Sequence, residues 1–256
     1  ITWLGCLSST GIPEIDYIIG DPYTFPKDLK QNFTEKIWRF PEVLQCFSKP
    51  DLDLLIGDLP TLKNNFITFG CFSNPLKINN FILKIWSKIL NKTPNSKIMF
   101  KSLRTNTESE KNITNSLISY GVNQKQIIFD GKSSLEKYFE SYNKIDLVLD
   151  TFPFNGGATS HDAVWMGVPV LSLQGNIAYS RMGSCLNHHL NMIDWIAKNE
   201  DEYIIKATKF ASDSNLLSNI RKNLRQKAID SPIFNSERFA KNFEQDMWKI
   251  WNEFIK

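Results

Sequence analysis

From residue 65 onward the chain repeats one pattern, a short apolar run followed by a stretch with apolar residues at helical spacing. That repeat restricts the fold more than any other feature. It predicts strands over 66–72, 97–101, 126–129, 146–150 and 168–173, and a last short one at 193–196. Between and after them it predicts helices over 79–90, 108–120, 133–142, 159–166, 180–190, 200–211, 215–228 and 237–255. In the first helix Phe81, Ile82, Ile85, Trp86, Ile89 and Leu90 recur on one face. Ser134 stands where a helix cap belongs. Strands alternating with helices form βαβ units, hence an α/β fold with a parallel sheet covered on both faces. The runs DLVLD and VPVLSL lack polar alternation, as a sheet buried on both sides requires. Upstream, residues 1–45 read as short strands at 1–5 and 16–19 joined by turns such as Ser8-Ser9-Thr10-Gly11. Residues 46–64, with Pro50, Asp51, Asp53 and Pro60, read as a linker.

Composition excludes several classes. The 256 residues are 42% hydrophobic and include 18 Phe, enough to fill a substantial core and too apolar for a disordered chain. Thirty basic against 27 acidic side chains leave a net charge of +3, which argues against a generic nucleic-acid binder. Cys6, Cys46, Cys71 and Cys185 form no CxxC and no Cys/His cluster, so neither a zinc site nor a disulfide framework is signalled. A reduced, cytoplasmic chain is expected. No apolar run approaches the ~20 residues that span a bilayer, and the first twenty residues do not resemble a signal peptide. The start at Ile1 suggests a fragment.

Ligands of parallel sheets bind beyond the carboxyl ends of the strands. The segment DTFPFNGGATSHDAVWMGVPV, residues 150–170, offers a strand, a Gly-containing loop and a helix start there. The amides of Gly157, Ala158 and Thr159 would converge on an anion, helped by about half a positive charge from the helix dipole. Gly156 and Gly157 would let a ligand approach the backbone closely, and Thr159 or Ser160 could cap the helix. Asp162, in the first turn, is either a dipole-stabilising acid or a carboxylate accepting ribose hydroxyls. In CFSNPLKIN, residues 71–79, Asn74 and Lys77 lie on the same predicted rim; Lys77 is either an anion ligand or a solvated lysine. Lys101 closes the next strand and Arg181 opens a later helix, which puts three cations on that rim. The Asp51–Asp53 pair reads as solvated. His188 and His189 diverge by about 100° on a helix and cannot share a metal. His161 has capping, exposed and catalytic readings. Trp86, Trp165, Trp248 and Trp251 read as packing residues.

The segments FGCFSNPLKIN, DLVLDTFPFNGGATSHDAVWMGVPV, SRMGSCL and SPIFNSERFA…MWKIW, in this order, resemble the catalytic region of glycosyltransferase family 41. This family comprises the O-linked N-acetylglucosamine transferases and the SPINDLY-type O-fucosyltransferases. ITWLGCLSSTGIPEIDYIIGD resembles the end of that family's first lobe. The resemblance implies a GT-B fold of two Rossmann-like lobes. Residues 1–45 would end the N-terminal catalytic lobe and 46–64 would link it to a nucleotide-sugar lobe over 65–235. Residues 236–256 would form a helix packing back towards the first lobe, with Trp248 and Trp251 buried there. The implied activity is inverting, metal-independent transfer of a sugar to Ser or Thr hydroxyls of proteins, with a nucleotide sugar as donor substrate and no cofactor. No nucleic-acid or membrane partner is implied, and tetratricopeptide repeats belong upstream of this region.

By the same resemblance Lys77 matches the lysine on the donor diphosphate and carries the catalytic role. Asn74 falls at a donor-contacting position, and Gly157, Ala158 and Thr159 match the diphosphate loop. Asp162 matches the ribose-binding acid, Tyr138 stands beside the nucleobase, and Lys101 matches a strand-end lysine. Ser180-Arg181 looks like the N-acetylglucosamine branch, which favours UDP-N-acetylglucosamine over GDP-fucose. There are departures: Gly-Ala-Thr replaces His-Thr-Thr at 157–159, Tyr138 replaces a His, and Ser8 replaces a Gly. The first half of the N-terminal lobe has no counterpart here. The alternatives are a GDP-fucose-using transferase, a non-catalytic nucleotide-sugar binder and, more remotely, an epimerase or hydrolase on the same fold.

Overall fold

The computed structural model describes residues 1–5, 7–102 and 107–256; Cys6, counted above among the cysteines, lies outside the described residues. The chain opens with β1 (Tyr17–Gly20) and β2 (Lys36–Arg39), then α1 (Pro60–Asn64). Next come β3 (Ile67–Cys71), α2 (Asn80–Lys92), β4 (Ser96–Lys101), α3 (Thr107–Ser119), β5 (Ile127–Asp130), α4 (Leu135–Glu140) and β6 (Leu147–Leu149). After these follow α5 (Ala158–Trp165), β7 (Val170–Leu173), α6 (Met182–His189), β8 (Ile196–Ala197), α7 (Glu200–Ala211), α8 (Ser214–Ile229) and α9 (Ser236–Phe254).

Six parallel strands lie in the order β5-β4-β3-β6-β7-β8. The chain builds outward from β3 to β5, returns across the sheet, and builds outward again from β6. The order therefore reverses between β3 and β6, and the crevice of a doubly wound sheet opens at such a switch point. β3 and β7 are buried throughout, because helices cover both faces. α2 buries Ile82, Leu83, Ile85, Trp86, Ile89 and Leu90, and Asn79 caps it by accepting the Ile82 amide at 3.0 Å. Ser134 caps α4 through the Lys137 amide.

The stretch 46–64, read as a linker, is a strap bonded to this sheet unit. Leu54 and Leu59 enter its core, and both oxygens of the buried Asp146 are used, accepting the Thr61 and Thr68 amides at 2.8 and 2.7 Å. Arg221 holds the strap at the Gly57 carbonyl, 2.8 Å away. Asp51 and Asp53 are exposed.

β1 and β2 form a separate parallel pair. The strand expected at 1–5 reduces to a single bridge, Thr2 onto Ile18. Leu4 has φ 59°, which ends extended backbone there, and the Trp3 indole donates to the Leu44 carbonyl at 2.6 Å instead. α9 lies on this pair: Phe239, Phe243, Met247 and Ile250 meet Ile19, Trp38 and Phe40. Trp248 and Trp251 are not buried, at 60% and 52% exposure. The helical period that turns Met247 and Ile250 inward carries these two onto the outer flank.

Candidate functional site

The loop after β6 is organised by an acid. Asp150 is fully buried; its Oδ1 accepts the Thr151 and Gly156 amides at 2.9 and 2.7 Å, and its Oδ2 accepts the Ser172 hydroxyl at 2.9 Å. Burial pushes its carboxyl up to about 6, against the pull of those bonds and of Lys77. Asn155 is equally buried: its side chain donates to the Thr151 carbonyl at 2.8 Å and accepts the Gly183 amide at 3.3 Å. The loop then delivers Gly157 as the cap of α5, with no side chain on the free end of the helix. Among the described residues, the amides of Gly157, Ala158 and Thr159 have no protein acceptor. Three donors and the positive end of a helix point into the crevice, which suits an anion.

The two glycines differ in purpose. A Cβ on Gly156 would collide with Ser160 Oγ and come within 3.1 Å of Asp150 Oδ1, so Gly156 serves packing beneath the loop. A Cβ on Gly157 would meet only the Met182 methyl, at 3.8 Å. Close approach of a ligand concerns Gly157 alone.

Lys77 reaches this loop from the other side of the switch point. It ends a 3-10 turn, Pro75–Lys77, that Asn74 caps by accepting the Leu76 amide at 3.1 Å. Its ammonium donates to the Asn155 carbonyl at 2.8 Å and lies 3.8 Å from the centre of the Phe154 ring. Burial lowers its pKa, and the nearby Asp150 carboxyl opposes that shift. Asn79 joins the same two segments, donating to the Phe152 carbonyl at 2.8 Å. The structure gives Asn74 the job of shaping the turn that carries Lys77.

One turn into α5, Asp162 Oδ2 accepts the Tyr138 hydroxyl at 3.0 Å. The Tyr138 and Tyr142 hydroxyls are 2.9 Å apart, and Tyr142 donates to the Thr159 carbonyl at 2.9 Å. Burial pushes the Asp162 carboxyl up to about 6, although the Tyr138 bond works the other way. Tyr138, Asp162 and the 157–159 loop thus form one connected surface.

Two cations of the predicted rim are committed elsewhere. Lys101 is buried, donating to the Gly131 carbonyl at 2.9 Å and pairing with Asp130 at 3.5 Å across the β4–β5 edge. Arg181 donates to the carbonyls of Tyr23 and Gly175 at 2.8 and 3.0 Å, fastening the segment after β1 to the β7–α6 loop. His161 is neither exposed nor a cap. It stacks on Phe47 with centroids 3.6 Å apart, donates from Nδ1 to the Gly157 carbonyl, and burial lowers its pKa to about 4.

A cavity of about 550 Å³ adjoins Lys77 and Gly157; its far wall is Leu4, Gly5, Leu7 and Ser8. The sequence carried a signal for Ser8 alone among these. It carried none for Asp150, Asn155 or Asn79, apart from their places at a strand end, in a turn and at a helix start. Among the described residues, no group of three or more His, Cys, Asp or Glu side chains could hold a metal ion.

Six parallel strands in this order, with helices on both faces, form a Rossmann-like lobe of the kind found in GT-B glycosyltransferases. The family model described as "Glycosyl transferase family 41" matches residues 58–243. The chain is 31% identical over 263 residues to the Arabidopsis thaliana protein called "Probable UDP-N-acetylglucosamine--peptide N-acetylglucosaminyltransferase SPINDLY", an overlap covering 100% of this chain and 28% of that protein. The solved structure of the Thermobaculum terrenum O-GlcNAc transferase K341M mutant superimposes with a TM-score of 0.89 at 27% identity, covering 98% of this chain and 48% of the other. Sucrose-phosphate synthase from Thermosynechococcus elongatus shares the fold, with a TM-score of 0.59 at 11% identity over 93% of this chain and 59% of its own. The chain belongs to glycosyltransferase family 41. Its fold is of the GT-B type. It spans 28% of the length of the SPINDLY relative.

Proposed function

We propose that this chain forms the donor-binding part of an inverting protein O-glycosyltransferase that uses UDP-N-acetylglucosamine. One observation carries the reading: the Lys77 ammonium is bonded to the Asn155 carbonyl of the loop whose Gly157, Ala158 and Thr159 amides have no protein acceptor among the described residues. In this arrangement the donor diphosphate sits across Gly157, Ala158 and Thr159 with Lys77 against it. The nucleoside lies towards Tyr138 and Asp162, where the carboxylate accepts ribose hydroxyls. The sugar extends into the cavity walled by Leu4, Gly5, Leu7 and Ser8.

Transfer forms a bond from the acceptor Ser or Thr oxygen to the anomeric carbon as the bond to the diphosphate breaks. The leaving diphosphate takes the electron pair, and the hydroxyl proton passes to a base. Negative charge grows on the phosphate oxygens in the transition state. One ammonium, three amides and a helix dipole are already aimed there, so the protein itself supplies compensation without calling on a metal. The likeness to the Thermobaculum terrenum O-GlcNAc transferase supports UDP-N-acetylglucosamine as donor. Inversion and the protein acceptor rest on the family resemblance.

Calorimetric titration tests the reading. Uridine diphosphate should bind, and Lys77→Ala and Asp162→Ala should each weaken it by about 10- to 100-fold, the loss of a charged hydrogen bond. No heat with either uridine or guanosine diphosphate would sink the proposal; a preference for guanosine diphosphate would move the donor to the GDP-fucose alternative. A radiolabelled-donor assay with peptide acceptors separates transfer from binding alone.

A further inference from the structure

Glu35 stands just before β2 and is only 4% exposed. Its carboxylate accepts the Ser9 hydroxyl at 2.8 Å, the Thr10 amide at 2.6 Å, the Thr10 hydroxyl, and the Thr34 hydroxyl at 3.1 Å. The Thr10 amide can only donate and the three hydroxyls can donate as well, so the ionised form accepts four bonds at once. Those bonds hold its pKa down at about 2 despite burial. Ser9 is fixed further by accepting the Thr34 amide at 3.1 Å. Of these partners, Ser9 and Thr10 lie 26 and 25 residues from Glu35 in the chain.

What Glu35 holds is the turn that directly follows Leu7 and Ser8, the cavity wall opposite Lys77 and Gly157. Residues 7–16 contain no helix or strand. Such a segment is mobile unless side chains tie it down. Leu7 of this wall also packs on the apolar cluster of Ile18, Phe25, Leu44 and Ala178, and Gln31 donates to the Leu7 carbonyl at 3.3 Å and accepts the Ala178 amide at 2.9 Å. The strong, charge-assisted tie is the carboxylate.

We infer that Glu35 is a positioning residue that sets the wall against which the transferred sugar packs, an inference resting on the donor orientation proposed above. It touches neither the diphosphate loop nor the Tyr138–Asp162 surface. Its removal should therefore affect the sugar and spare the nucleotide.

The experiment uses the full 256-residue chain, with uridine diphosphate and UDP-N-acetylglucosamine titrated separately into wild type, Glu35→Gln and Thr10→Val. Glutamine keeps the shape and removes the charge that strengthens these bonds; Thr10→Val removes one donor and keeps the carboxylate, so it serves if the first variant does not fold. The expected result is a loss of about 5- to 20-fold for the nucleotide sugar in Glu35→Gln and a smaller loss in Thr10→Val, with uridine diphosphate unchanged in both. Equal weakening of the two ligands would mark a merely structural acid and overturn the inference, as would no change in either. If wild type binds neither ligand, the functional proposal falls and takes this inference with it. If wild type binds both and Thr10→Val is indistinguishable from it, the inference alone falls.

Discussion

Asp162 shows how a single residue escapes a reading from spacing. In the sequence it was either a helix-start acid or a nucleoside ligand. The structure places it half-buried against Tyr138, with its carboxyl pushed up to about 6. A ribose hydroxyl donates more strongly to the carboxylate than to the neutral acid. Nucleotide affinity should therefore rise as pH climbs through about 6 and then level off. Titrations of uridine diphosphate between pH 5 and 8 check this, with Asp162→Asn as the control that removes this acid's share of the slope. For stability the sign is opposite: the folded-state pKa is raised above the unfolded one, so protonated Asp162 favours folding, and that contribution is lost as pH rises from the ordinary carboxylate value to about 6. Gly156 makes a second residue-scale case. The sequence suggested a glycine that admits a ligand, whereas the structure shows one that admits Ser160 and Asp150. Gly156→Ala should cost about 1–3 kcal/mol in denaturant unfolding, the usual range for overpacking, and weaken nucleotide binding as well.

At the scale of elements, periodicity did most of the work. A continuous apolar run and a stripe of Ile and Trp are local properties, so β3 and α2 could be read directly. β2 was missed because KIWR is four residues long and half-polar, and it becomes a strand only by pairing with β1. α1 was missed because Pro50 and Pro60 look like breakers, yet Pro60 sits in the first turn, where its missing N–H costs nothing. α9 carries two apolar stripes, and spacing alone does not say which is buried. The structure chooses Phe239, Phe243 and Ile250. Ile250→Ala should thus cost about 2–5 kcal/mol, while Trp248→Ala should stay within about 0.5 kcal/mol. Chemical denaturation of both variants checks the assignment, and equal costs would contradict it.

Across the whole molecule, the sequence alone determined a parallel α/β lobe, the loop that ends in free amides, and the two segments that bear Lys77 and Asp162. These follow from hydrophobic period and from glycine and cap placement, which act over a few residues. Only the tertiary structure decided which charges meet. Lys77 and Asn155 lie 78 residues apart in the chain and touch because β3 and β6 pair at the reversal of strand order. Lys101 and Arg181 carry the same charge on the same predicted rim, but neighbouring carbonyls claim them first. A side chain's charge is written in the sequence; its partner is set by which strand ends the folded sheet brings within about 3 Å, the reach of a hydrogen bond.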